Sequence, residues 1–365
     1  MRSTTTKGWL TMCGLLLTGC CFAAGTTNKP NFVIIFTDDQ GYGDLSCFGG
    51  KHVSTPRIDQ MAKEGMRLTS FYVAAPVCTP SRAALMTGCY PKRITEHAVK
   101  FIKKNKDHPF FLYIPHPIPH APLHISPPFM KGVSTDIVAQ LKKEDGNIDY
   151  RTRDRLFRQA IAEIDWSVGQ ILDTLKANGL DKNTLVLSTS DNGPPKNSLF
   201  ASAGPLRGNK GTTFEGGMRE PTVVRWPGRI PAGKDNDKLM TAMDLLPTFA
   251  KLAGVKVPTH RIIDGKDIWP VLSGNAKTPY KAFFYHRGNW LAAVRSGDWK
   301  LHLGGKGKPS ALYNLKSDLG EKKDVLKAHP KVAMRLRGLL DAFAKDIAKN
   351  NRPSAFVKNP KPLLK

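Results

Sequence analysis

The sequence predicts an α/β protein: a central sheet covered by helices on both faces, followed by a small antiparallel sheet with one helix. Three observations carry this. Apolar runs of strand length alternate with helical patterns through most of the chain, the order that builds such a sheet. Beyond about residue 260 the texture changes to closely spaced short strands and one final amphipathic pattern. The 365 residues, 41% of them hydrophobic and 23% charged, support a sizeable core and exclude disorder throughout.

In order along the chain, Asn31–Thr37 (NFVIIFT) is a continuous apolar run of buried-strand length. Thr55-Pro56 opens a helix with a cap and a proline at its first position, and Gly65 closes it. Phe71 to Val77 reads as the second strand, Thr79-Pro80 starts a helix ending near Gly88, Thr95 to Lys104 is a short amphipathic helix, and Phe110 to Ile114 is a strand. From Asp154 to Ala177, Leu156, Ala160, Ile161, Ile164, Val168, Ile171, Leu172 and Leu175 share one helix face. Gly179 ends it, and Thr184–Thr189 is the next strand. Short strands follow at 282–286, 291–295, 299–303 and 312–314, then a helix over roughly 325–348. The expected organisation is 1–24 signal, 28–258 main domain, 259–349 C-terminal subdomain and 350–365 a loose basic tail.

The start of the chain reads as an export signal. Arg2 and Lys7 precede an apolar run from Trp9 to Leu17, which small residues follow. Leu17-Thr18-Gly19-Cys20 resembles the bacterial lipobox, whose cysteine is lipidated; the competing reading is cleavage after Ala23 or Ala24. Export to the periplasm, to the outer membrane as a lipoprotein, or out of the cell is therefore expected. Cys47, Cys78 and Cys89 remain in the folded part, an odd number, so at least one stays outside any intrachain disulfide. No spacing suggests zinc. The formal net charge of +25 favours polyanionic partners. No cluster interleaves aromatic with basic residues, which argues against nucleic acid.

Asp38-Asp39 stand directly after the first strand, where open α/β sheets place their ligands. Adjacent carboxylates repel unless solvated or neutralised by a hard cation such as calcium or magnesium; an acidic turn around Gly41 and Gly43 is the alternative. Asp191-Asn192 follow a later strand in the same way, though Asn-Gly is also a common turn. Cys78 precedes a helix start, with Arg82 one turn inside it. That setting favours an anion or a thiolate nucleophile, and also suits a buried structural cysteine.

Cys78-Thr79-Pro80-Ser81-Arg82, continued as AALMTGCYPKR, resembles the signature of the formylglycine-dependent sulfatases. NFVIIFTDDQGYGD, TPRIDQMAKEGMRLTSFYVAAPVC, PFFLYIPHPIPHAPL, TSDNGP, GPLRGNKGTTFEGGMREP and LYNLKSDLGEKKDV are similar to further blocks of that family, in its order. The resemblance implies an alkaline-phosphatase-like fold. It implies that Cys78 is oxidised to formylglycine by a formylglycine-generating enzyme, and that Asp38, Asp39, Asp191, Asn192 and the modified Cys78 bind one divalent cation, usually calcium. Arg82 would stabilise the formylglycine hydrate, while His120 and Lys210 would contact the sulfate. His116 and His124 are near neighbours of His120, and Lys210 has the alternative of being one more surface lysine. One hydroxyl of the hydrate attacks sulfur and displaces the alcohol; the other then loses its proton, expelling sulfate and restoring the aldehyde.

The pattern breaks after the signature. Tyr90-Pro91-Lys92-Arg93 runs straight into ITEHAVKFIKK, and the Gly-Lys-Trp-His block that the family carries there is missing. Nothing in the spacing assigns Lys92 or His97 to the vacant roles. Three functions are therefore weighed: hydrolysis of aryl or carbohydrate sulfates, hydrolysis of phosphonates or phosphodiesters by the same chemistry, and binding of sulfated glycans by a catalytically impaired remnant.

Overall fold

The computed structural model describes residues 29–74 and 91–350, apart from 122, 124, 131, 135, 138–148, 197, 199–200, 258, 261, 275 and 289. Cys78, Arg82, Cys89 and His124, the expected helix from Thr79-Pro80, the signal segment and the tail from 351 lie outside the described residues. Strand β1 (Asn31–Thr37) has the predicted bounds. Helix α1 (Pro56–Glu64) starts with proline as expected. Its first amides are capped from a distance: Asp165 Oδ1 accepts from the Ile58 N–H at 2.8 Å and Oδ2 from the Arg57 N–H at 3.2 Å.

Several boundaries differ from the sequence reading. β2 runs Met66–Tyr72, five residues ahead of its expected start at Phe71, because Arg67 and Thr69 point away from the core while Met66 and Leu68 face it. α2 begins at Pro91 (Pro91–Lys104), and β3 is Phe111–Pro115. α3 (Tyr150–Ala177) starts four residues early, its amides at Arg151 and Thr152 donating to the Asp149 carboxylate. β4 is Thr184–Ser190. Then come α4 (Glu215–Met218), β5 (Arg219–Arg225), β6 (Lys234–Asn236), β7 (Met240–Thr241), α5 (Leu245–Leu252) and α6 (Trp269–Ser273).

The large sheet has the order β3-β1-β4-β5-β2-β6, with β7 also on β2. β3, β1 and β4 are parallel, and β5 is antiparallel to both its neighbours, so the sheet is mixed. Alternation along β1 divides the core. Val33 and Ile35 meet α1, α2 and α3, while Phe32 and Ile34 meet α5 and α6. Phe32 stacks on Phe249 of α5 at 4.4 Å between ring centres. Helices on both faces are thus a consequence of period-two burial in a strand that is apolar throughout.

The second sheet, β11-β10-β9-β8, is antiparallel and comprises β8 (Phe283–Arg287), β9 (Trp290–Ser296), β10 (Trp299–Leu303) and β11 (Pro309–Asn314). α7 (Pro330–Asn350) packs on it through Ala333, Leu336 and Leu340. This helix was expected from Val325. It begins at Pro330 because Asp324 ties down the preceding turn, accepting from the Leu312 and Leu326 amides at 2.9 Å each.

The sheets meet at a buried charge network. Lys300 on β10 is fully buried and reaches Glu215 at 2.8 Å and Glu321 at 3.0 Å. Tyr72, Tyr285 and Arg219 also engage Glu215, and His302 engages Glu321 at 2.9 Å. Burial alone would raise Glu215, yet Lys300, Arg295 and Arg219 hold it well below the usual carboxylate range.

Candidate active site

The site follows from strand register. Thr37 of β1 lies opposite Ser190 of β4 in a parallel pair, so Asp38-Asp39 and Asp191-Asn192 leave the sheet side by side. The Asp191 amide donates to the Thr37 carbonyl at 3.1 Å. β3, on the other side of β1, delivers the loop carrying His120, and the Asp38 amide donates to the Ile118 carbonyl at 3.2 Å. Lys210 is brought in from the glycine-bearing segment before α4, where its amide bonds the Pro194 carbonyl at 3.0 Å. Three adjacent parallel strands therefore present their carboxyl ends to one place.

Asp39 is the hub. Its backbone is left-handed, φ 66°, a conformation uncommon outside glycine and frequent at functional sites. Its amide donates to Asp191 Oδ1 at 3.1 Å, which holds that turn. Oδ1 accepts from Asn192 Nδ2 at 2.7 Å and pairs with Lys210 Nζ at 2.8 Å. His120 Nε2 stands 3.7 Å from Oδ2. His120 Nδ1 bonds the Ala121 carbonyl, leaving Nε2 as the nitrogen turned to the cluster. Asp38, Asp39 and His120 place ligand atoms within 4.8 Å of one another.

The two histidines that the sequence could not separate are distinct in space. His116 is fully buried and bonds Ser167 of α3 at 3.0 Å, and burial pushes it down to about 4. It is a neutral core group, whereas His120 faces the acids. The packing that sets these turns demands glycine: a Cβ on Gly193 would lie 1.8 Å from the Gly216 carbonyl oxygen, and one on Gly41 2.4 Å from that of Ser202.

Asp191 Oδ2 and Asn192 Oδ1 are buried oxygens with no hydrogen-bond partner among the described residues. Burial, then the neighbouring Asp38 carboxylate, pushes Asp191 up to about 8. Glu220, buried at the start of β5, is raised in turn by burial and by Asp191 and Asp39. Buried acids this close to one another favour a cation among them. Carboxylate and amide oxygens are the donors a hard divalent ion such as calcium takes, so the residues present fit one. Glu220 was not singled out in the sequence, and neither were Arg153, Asp154, Lys196 and Ser198, which line a pocket beside Asp39 and His120. Cys47, the only cysteine among the described residues, is a half-buried free thiol pushed up to about 12 by burial and by Asp59, hence unreactive.

Fold and site together define a class: α/β proteins with a cluster of oxygen donors, of the kind that fits a hard cation, at the carboxyl ends of parallel strands. The chain belongs to the sulfatase family, whose model matches residues 30–94 and 88–255, and a second, described as N-sulphoglucosamine sulphohydrolase, C-terminal, matches 209–346. It is 31% identical to the N-acetylgalactosamine-6-sulfatase of Canis lupus familiaris, over 77% of this chain and 73% of that one. It is 29% identical to human arylsulfatase A, over 96% and 94%. That alignment spans 483 positions, so the relative carries over a hundred positions without a counterpart among these 365 residues. Among solved structures, Ps i-CgsB superposes with a TM-score of 0.74 at 27% identity, covering 91% of this chain and 95% of the other. It has also been solved in complex with k-i-k-neocarrahexaose. The mixed central sheet with its small antiparallel partner is the alkaline-phosphatase-like fold of these sulfatases.

Proposed function

We propose that the protein hydrolyses sulfate esters of carbohydrates or aryl alcohols, releasing inorganic sulfate. The observation that carries this reading is the convergence of Asp38, Asp39, Asp191 and Asn192 at two strand ends, with Lys210 and His120 turned to the same carboxylate. Membership of the sulfatase family supports it. In this reading Asp38, Asp39, Asp191 and Asn192 would hold a divalent cation, which would supply positive charge for ionising a hydroxyl and for the sulfonyl oxygens. Cys78, converted to formylglycine and hydrated, supplies that hydroxyl, with Arg82 stabilising the hydrate. The oxygen–sulfur bond forms as the ester oxygen–sulfur bond breaks and the alcohol leaves with a proton. Loss of the second hydroxyl's proton then expels sulfate and restores the aldehyde. Lys210, half-buried and paired with Asp39 at 2.8 Å, neutralises one sulfonyl oxygen; His120 Nε2 holds or donates a proton beside it.

The test is sulfate release from aryl sulfates and a panel of sulfated glycans, by protein co-produced with a formylglycine-generating enzyme and supplied with calcium. Release that disappears in Cys78→Ala establishes the activity; a native Cys78 peptide carrying free thiol refutes it. A second reading is favoured by one observation. The family match falls into two stretches that meet at 88–94, and the human relative has over a hundred extra positions. This supports loss of the block that holds the family's Gly-Lys-Trp-His. The chain would then be a remnant that binds sulfated glycans without turnover, shown by ligand binding that persists in Cys78→Ala while confirmed aldehyde yields no sulfate. Export, with Cys20 as the lipid-bearing residue, belongs to the proposal and is checked by labelling with radioactive palmitate.

A further inference from the structure

The acid cluster opens on one side into a pocket of about 180 Å³ that shares Asp39 and His120 with it. Its size falls below the ~300–1,000 Å³ of sites that enclose drug-sized ligands, so it takes one ring and leaves the rest of a larger substrate outside. The floor is apolar: Leu123 and Phe157 are 5% and 4% exposed, and Pro119 and Pro195 add their rings. The mouth is cationic. Arg153 stands on the first turns of α3, where its amide bonds the Asp149 carbonyl at 3.0 Å, so a fixed helix end sets its position. Lys196 follows Asp191-Asn192 by one short turn. Both line the pocket and are exposed, and neither makes an ion pair among the described residues. Between them Asp154, 2% exposed, accepts from Ser198 Oγ at 2.6 Å, which holds the α3 end to the loop bearing Lys196.

An apolar floor suits the C–H face of a sugar ring, and two uncompensated cations at its edge suit negative charge. Arginine's planar fork matches a carboxylate or sulfate with two parallel hydrogen bonds, while lysine adds a point charge. We propose that this pocket seats the sugar that bears the scissile ester, and that Arg153 and Lys196 select sugars carrying a second negative group, sulfate or carboxylate. The proposal deepens the sulfate-ester reading and rests on it for the placement of the first anion at the cluster. It adds a substrate class: sulfated sugars that are charged twice.

The experiment uses full-length calcium-loaded protein in the Cys78→Ala background, so that binding is read without turnover. A disulfated hexosamine, a sulfated disaccharide containing a uronate and a monosulfated neutral sugar are titrated calorimetrically against it and against the double variant Arg153→Met/Lys196→Met. The doubly charged ligands bind at least about tenfold tighter than the neutral-ring sugar, and that ratio falls to near one in the double variant. Preference for the disulfated ligand alone, or for the uronate alone, identifies which second anion is read. Charge reversal by Lys196→Glu, on an exposed residue that leaves the core intact, inverts the preference. Equal affinity for all three ligands, or an equal loss for all three in the double variant, overturns the proposal. The parallel sulfate-release assay with unmutated Cys78 separates the two levels. A binding preference without any sulfate release sinks hydrolysis and leaves the anion selectivity standing; release from singly and doubly charged sugars with the same KM sinks the selectivity alone.

Discussion

Two places in this molecule bury several acids, and they solve the problem in opposite ways. At the junction of the sheets, Glu215 and Glu321 are met by Lys300, Arg219, Arg295 and His302, and the acid is held low. At the ends of β1 and β4, Lys210 and the half-exposed His120 face Asp39, Asp191 Oδ2 and Asn192 Oδ1 have no hydrogen-bond partner among the described residues, and Asp191 is pushed up. Both networks cost desolvation, but among the described residues the first is met by Lys300, Arg219 and Arg295, while the second leaves Asp191 Oδ2 and Asn192 Oδ1 without a hydrogen-bond partner. The lesson is that an imbalance of this kind marks where a ligand belongs. A fold can build a closed charge network when stability is all it needs, and this chain does so where its two sheets meet.

The largest effect that could break this contrast is at the balanced site. Lys300→Met should cost about 3–5 kcal/mol in urea unfolding, because two carboxylates lose their shared cation inside the protein. Adding Glu215→Gln to it should restore part of that loss; no restoration would mean Lys300 acts by packing alone. At the unbalanced site the expectation reverses. Asp191→Asn should lower sulfate release about a thousandfold, while the metal-free protein keeps or gains stability, since one like charge is gone. A collapse of stability would make the cluster a structural network like the other.

Calcium should sharpen the difference. With Asp191 raised to about 8 in the metal-free protein, its favourable contribution is complete below about pH 4 and is lost as pH rises through 8. Calcium at a hundredfold excess over its Kd should stabilise by about 3 kcal/mol, with a larger shift of Tm at pH 8 than at pH 5. The smallest effect concerns His116, whose partner Ser167 is neutral and whose shift comes from burial. Held at about 4 against an unfolded value near 6.5, it contributes stability above 6.5 that drains as pH falls towards 4. His116→Gln, able to keep the Ser167 bond, should remove about 2 kcal/mol of the decline between pH 6.5 and 5. An unchanged acid limb would place the titrating group elsewhere.

The sequence disclosed most where burial and residue type agree. β1 and β4 are apolar throughout and were delimited nearly residue for residue, and their acidic ends stood out because two carboxylates follow the strand directly. β5 escaped notice because REPTVVR places Arg219, Glu220 and Arg225 in the interior and a proline in mid-strand. Arg225 is satisfied across the fold, by Glu64 and Asp181 at 2.6 Å each, over sequence separations that no local pattern reveals, while both Glu220 carboxylate oxygens lack a hydrogen-bond partner among the described residues. Asp38, Asp39, Asp191, Asn192, His120 and Lys210 were legible through motif, and the structure brings all six together. Arg153 and Lys196 were not. In a chain with 55 lysines and arginines a single cation carries no signal until a pocket wall picks it out.

The central position of β1 has a kinetic consequence. The strand leaves the ribosome among the first residues of the folded part, yet its partners β3 and β4 start only at Phe111 and Thr184. Until then NFVIIF is a bare, uncharged, β-prone hexapeptide, the kind of segment that associates with its own copies. Pairings this distant in sequence also close slowly. Yield of folded protein should therefore depend on how long this one strand is shielded during synthesis, more than on the final stability of the sheet it completes.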